Sequence, residues 1–128
     1  MFQTSQKALE SMKDLLMKRM NSKLKKVEKS LKYIENFYTT VKETVKTATL
    51  QEITFDETLI SFQFTDTRYK GKIFKFTVNL DGDPETIHSE VFVYTEDGVE
   101  IWVYCGKLDQ DIDPQTNLDV VLKSIKES

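Results

Sequence analysis

The sequence has one cysteine, one histidine, one tryptophan, two prolines and four glycines in 128 residues. Each scarcity excludes something. A single cysteine, Cys105, cannot close an internal disulfide, so the chain is no disulfide-stapled scaffold, and a lone thiol fits a reducing compartment. No apolar run approaches the roughly 18 residues that a membrane-spanning helix needs. The first thirteen residues are interrupted by Lys7, Glu10 and Lys13, so they lack the apolar stretch of a secretory signal. Together these features predict an intracellular, cytoplasmic protein with no membrane span.

What is present is enough to fold. Eight Phe, five Tyr and one Trp supply large core side chains, which excludes a wholly disordered chain. At 128 residues the chain fits one domain plus an extension. The net charge of −3 conceals a polarity. Residues 1–47 hold 11 Lys/Arg against 5 Asp/Glu, a net of +6, which leaves 7 against 16, a net of −9, for residues 48–128. A basic helix therefore precedes an acidic remainder.

From Gln3 to about Thr47 there is no Gly or Pro, and apolar residues recur at helical spacing. Met20, Leu24, Val27, Leu31, Ile34, Tyr38, Val41 and Val45 alternate by four and three, the pattern of a coiled-coil seam. A helix of about 45 residues would run about 67 Å, whereas a domain of some 80 residues is about 30 Å across. The overhang favours pairing of the seam with a second chain, in a homo- or heterodimer, over a fold-back near Asn21-Ser22.

After Thr47 the apolar period becomes two. Five strands are expected near Leu50 to Phe55, Thr58 to Thr65, Lys70 to Leu80, Ile87 to Thr95 and Val99 to Leu108, separated by short Asp- and Gly-bearing turns. Short turns predict an antiparallel meander. Asp113 as N-cap and Pro114 at the first helical position open a terminal helix whose stripe is Leu118, Val121, Leu122 and Ile125. The expected class is α+β: a long amphipathic helix over residues 1–47, then sheet and C-terminal helix over 48–128.

The last hairpin is apolar on both faces. If Asp97-Gly98 is a two-residue loop, Tyr94 lies opposite Ile101 and Val93 opposite Trp102. Phe92, Tyr94, Ile101 and Val103 then share one face, and Val91, Val93, Trp102 and Tyr104 the other. Such a hairpin has to be covered on both sides, by helices or by a partner.

Candidate chemistry is sparse. The phosphate-loop, dinucleotide, nucleophile-elbow and zinc-protease motifs are absent, and a dyad of His88 with Cys105 has no further sequence support. Asp109, Asp111 and Asp113 open like a calcium loop, but Pro114 stands at the turn glycine and Val120 at the bidentate acid, so a loop plus helix cap is the simpler account. The expectation is no catalytic residue, no cofactor and no metal. Lys18, Arg19, Lys23, Lys25, Lys26, Lys29 and Lys32 form a basic stretch, yet no aromatics interleave for base stacking, which argues against nucleic acid as the main ligand. The aromatics Phe74, Phe76, Phe92, Tyr94, Trp102 and Tyr104 would serve a small apolar ligand only if they lined one cavity.

A long helix running into a meander closed by a terminal helix carries Phe37-Tyr38, Leu59 to Asp66, Phe74 to Leu80 and Leu118 to Ile125 in order. This arrangement resembles the RWD-like globular tails of outer-kinetochore and monopolin coiled-coil subunits. The resemblance implies a dimerising structural subunit, nuclear in location, with sheet and terminal helix as docking surface.

The residues by themselves point to a non-enzymatic protein–protein interaction module that oligomerises through the helix. Its expected partner-binding set is Asp81, Asp83, Glu85, Glu96, Asp97, Glu100, Trp102 and Tyr104. The competing expectation is a bacterial or phage immunity or inhibitor protein whose acidic surface blocks a basic cleft.

Overall fold

The computed structural model describes Glu10 and residues 24–125. Helix α1 spans Leu24–Thr44, strands β1 to β6 span Ala48–Leu50, Thr54–Asp56, Leu59–Asp66, Ile73–Asn79, Asp83–Tyr94 and Glu100–Asp109, and helix α2 spans Pro114–Ser124. All pairings are antiparallel, in the order β1-β3-β4-β5-β6, with β2 beside β3. The expected α+β meander is present.

The sixth strand comes from one expected strand that breaks. β1 pairs Leu50 with Phe64, and β2 pairs Thr54 with Ser61, so three residues on one side face two on the other. The extra residue is absorbed at Gln51–Ile53, where the Gln51 amide still donates to the Gln63 carbonyl at 2.9 Å and Ile53 turns into the core. β5 also starts earlier than expected, at Asp83, because the Asn79 side chain closes the preceding turn by accepting from the amides of Asp81 and Gly82 at 3.1 and 3.0 Å.

Alternation sorts the two central strands. Ile60, Phe62 and Phe64 on β3 and Phe74, Phe76 and Val78 on β4 are buried, with half-exposed polar residues such as Gln63, Lys75 and Thr77 between them. Phe62 stands opposite Phe76 and Phe64 opposite Phe74, so one face of the sheet is a continuous aromatic floor. Such a floor has to be covered, and α1 covers it: Val27, Leu31, Ile34, Phe37 and Val41, with Val45 just past its end, are all buried in the same core. Phe37 packs 4.7 Å from Phe76 and 5.8 Å from Phe62, and Tyr38 sets its edge on Phe62 at 5.4 Å.

This corrects the expectation of an intermolecular seam for the residues described. Val27, Leu31, Ile34, Val41 and Val45 are spent on the sheet of their own chain. A sheet tethered by a short loop meets the helix at a far higher effective concentration than a second chain does. Met20 and the side chain of Leu24 lie outside the described residues, as does the basic stretch up to Lys23. Residues on both sides of the expected boundary at 47/48 share one core.

α2 starts as its sequence dictates. The Asp113 carboxylate accepts from the Thr116 amide at 3.1 Å and its hydroxyl at 2.8 Å, bonds that hold its pKa below the usual carboxylate value. Leu118, Val121 and Ile125 are buried, and Leu122 packs against the core from its margin. A polar cluster ties this end of the molecule together. Ser30 donates to the Pro84 carbonyl, which also accepts from Gln110 at 2.7 Å, and Lys29 pairs with Asp111 at 3.2 Å.

Candidate functional site

The site is the far end of the β5–β6 hairpin. β5 has twelve residues and β4 seven, and the last pair between them is Ile73 with Phe92. Beyond that pair the hairpin projects past the sheet.

Its turn differs from the two-residue loop expected. Thr95 donates to the Val99 carbonyl and Gly98 donates to the Thr95 carbonyl, both at 2.9 Å, and the Thr95 hydroxyl accepts from the Val99 amide at 3.0 Å. The loop is therefore Glu96-Asp97-Gly98, with Gly98 at φ +81°, a conformation that glycine adopts without a Cβ penalty. One more loop residue shifts the register by one: Tyr94 faces Glu100, Val93 faces Ile101 and Phe92 faces Trp102.

A second irregularity follows. Val91 faces Tyr104 while Phe92 faces Trp102, so Val103 is an extra residue on β6, a β-bulge. The bulge resets the faces. Opposed residues in an antiparallel pair point to the same side. Tyr104, Gly106 and Leu108 thus join Val91, Ser89 and Ile87 on the core face, while Glu100, Trp102, Cys105 and Lys107 join Tyr94, Phe92, Glu90 and His88 on the outer face.

The tip is left open. Val99 is 58% exposed, Tyr94 56%, Ile101 49%, Trp102 63% and Val103 47%, five large apolar side chains within ten residues. Tyr94 sets its edge on buried Phe92 with ring centres 5.6 Å apart. The Trp102 indole Nε1 donates to the Glu100 carboxylate at 2.9 Å, which fixes its polar end and leaves the ring face free. Glu96, Asp97 and Glu100 are exposed beside this patch, so its rim is acidic.

The expected partner-binding set is thereby divided. Glu96, Asp97, Glu100 and Trp102 come together at the tip. Asp81, Asp83 and Glu85 lie at the opposite end of β5, about 36 Å away at about 3.3 Å per residue. Tyr104 points into the core side, half-buried. Tyr94, Val99, Ile101 and Val103 were missing from that set, although a hairpin with two apolar faces already marked Tyr94, Ile101 and Val103.

Phe74, Phe76 and Tyr104 face the core while Phe92, Tyr94 and Trp102 face outward, so these aromatics line no common cavity. His88 lies opposite Lys107 and Cys105 opposite Glu90, which leaves His88 and Cys105 diagonal on the outer face. Among the described residues no group of three or more His, Cys, Asp or Glu is placed to hold a metal ion, and no helix is long and apolar enough to cross a membrane. Asp109 accepts from the Asp111 amide at 2.8 Å and Asp113 caps α2, so the acidic run is used in the loop and the cap. An open cleft of about 480 Å³ lies between Lys29, Glu85, Lys107 and Asp111, with charges of both signs on its walls.

No family model matches the chain, and neither a curated protein nor a solved structure matches it.

Proposed function

We propose that the chain is a non-enzymatic protein-interaction module that docks a protein partner on the apolar tip of the β5–β6 hairpin. The observation that carries this reading is the exposure of Tyr94, Val99, Ile101, Trp102 and Val103 together on one projecting element. Water-exposed apolar side chains gathered in this way cost free energy unless they are covered. An apolar centre with an acidic rim at Glu96, Asp97 and Glu100 suits a partner whose own apolar patch is ringed by Lys or Arg. The resemblance to RWD-like tails adds the expectation that such docking is the work of a structural subunit.

The reading is tested by comparing what the full chain and its Ile101→Asp and Trp102→Asp variants retain from cells that express it. Both positions are exposed, so circular dichroism is expected to show an unchanged fold. Proteins retained by the parent chain and lost by both variants are the expected result. Identical capture by all three would mean that the hairpin is not the docking surface.

A second reading, an inhibitor or immunity protein, is favoured by the same acidic rim. It forecasts a complex with a basic partner whose affinity falls steeply with salt. Docking on an apolar centre with a charged rim predicts a shallower salt dependence, because the apolar contact persists when the rim is screened.

A further inference from the structure

β6 ends the sheet, and among the described residues nothing pairs with its outer edge. Which backbone groups line that edge follows from the turn. Thr95 and Val99 bond to each other, so along an antiparallel ladder the peptide groups of Ile101, the bulge at Val103 and Tyr104, Gly106 and Leu108 turn toward β5. Those of Glu100, Trp102, Cys105 and Lys107 turn outward. The same four residues carry their side chains on the outer face of the sheet.

This coincidence makes the strand complementary to itself. Two copies of β6 set antiparallel about an axis between Val103 and Tyr104 oppose Glu100 of one copy with Lys107 of the other, and Trp102 with Cys105. Each of these pairs joins residues whose backbone groups both face the open edge and whose side chains share a face, as an antiparallel hydrogen-bonded pair requires. Ile101 meets Gly106, over whose Cα the Tyr104 phenol of the same strand lies, so Ile101 packs on that ring. Val103 of each copy opposes Tyr104 of the other, so the two bulges sit symmetrically about the axis. A strand without the bulge would put Glu100 and Lys107 on opposite faces, because they are an odd number of positions apart.

Charge selects this register. From Glu100 to Lys107 the strand Glu-Ile-Trp-Val-Tyr-Cys-Gly-Lys carries charge only at its two ends, with opposite signs. The antiparallel two-fold overlap of these eight positions brings each acid onto a base, twice per dimer.

We propose that the partner of the hairpin is a second copy of this chain, joined edge to edge through β6 with Glu100 of each copy opposite Lys107 of the other. The inference rests on the reading of the hairpin as a docking surface and names its occupant. The interface is isologous, closed by one two-fold axis, and it continues the sheet across both molecules.

The experiment is sedimentation velocity on the full chain over a concentration series at low salt, with Glu100→Lys, Lys107→Glu and the double variant E100K/K107E. The parent chain is expected to dimerise. Each single reversal sets like charges opposite each other at two places and is expected to weaken the dimer about tenfold, and the double variant is expected to restore it. Alkylation of Cys105 is expected to slow as the dimer forms. A monomer at every concentration overturns the proposal, as does a dimer that the single reversals leave intact or the double variant fails to rescue. Either outcome leaves the docking surface standing if Ile101→Asp still abolishes capture of another protein. A dimer that the reversals leave intact, together with unchanged capture by Ile101→Asp, removes both readings.

Discussion

The phenol of Tyr33 on α1 accepts a hydrogen bond of 2.6 Å from the Asn117 side chain on α2, 84 positions away, and donates one of 2.5 Å to the carbonyl of Ile112. Asn117 also donates to the Asp109 carbonyl at 2.9 Å, so one buried amide joins both helices and the end of β6. Asn117→Ala leaves these acceptors unpaired and is expected to cost about 1–3 kcal/mol by urea denaturation. Tyr33→Phe is expected to cost less, since Asn117 keeps its bond to Asp109. In the double variant the two losses are expected to fall short of their sum, and simple additivity would show that the pair is not coupled.

Burial raises the pKa of the Tyr33 phenol, and the nearby carboxylates of Asp113 and Asp109 push it further, against the opposing bond from Asn117. A raised folded-state pKa means a contribution to stability that is complete below the ordinary tyrosine pKa and lost as pH rises through the folded value. Above about pH 10 the parent chain is expected to lose stability faster than Tyr33→Phe, as measured by thermal melts across that range. Parallel losses would dissociate Tyr33 from the alkaline transition.

Asp66 behaves in the opposite sense. Its burial alone would raise the carboxyl pKa, but the Thr47 hydroxyl at 2.5 Å and the Arg68 guanidinium at 2.8 Å together lower it. The stability this confers is present above the ordinary aspartate pKa and disappears as pH falls through the depressed one. Asp66→Asn is therefore expected to destabilise the chain at neutral pH and to flatten its acid limb below about pH 4, read by urea midpoints from neutral to acid pH. An acid limb unchanged in the variant would contradict the assignment.

Ser89 sits on the core face of β5 with its hydroxyl fully buried and without a hydrogen-bond partner. An unpaired buried hydroxyl is a liability of about 1–3 kcal/mol. Ser89→Ala is expected to raise stability by about 1 kcal/mol. A loss on substitution would mean that the hydroxyl is satisfied in solution.

Phe37 is the helix's anchor on the aromatic floor, fully buried against Phe62 and Phe76. Phe37→Ala is expected to cost about 3–5 kcal/mol, a large share of what a domain of this size has, with α1 detaching first. Hydrogen exchange would then show α1 amides exchanging ahead of the β3–β4 amides. Uniform loss of protection would place α1 and the sheet in one cooperative unit.

Much of the fold was legible because it depends on local rules. The period-two rows of β3 and β4, the Asp113-Pro114 start of α2 and the helical spacing of Val27 to Val45 are set within a few residues of themselves. The site was half legible: two apolar faces marked the hairpin, but its register hung on whether Gly98 closed a loop of two residues or three. A single residue decides that, and it inverts which side chains share a face.

What the sequence by itself determined, then, is which segments are helix or strand, which face of each is apolar, and that some surface had to cover the hairpin. Only the tertiary structure decided what each apolar face meets. The stripe on α1 reads equally well as a seam for another helix or as a lid for a sheet, because periodicity records that a face is buried and not against what. Effective concentration within one chain gave it to Phe62 and Phe76. The bulge at Val103, a matter of pairing between strands, put Glu100, Trp102, Cys105 and Lys107 on one face, and no local rule contains it.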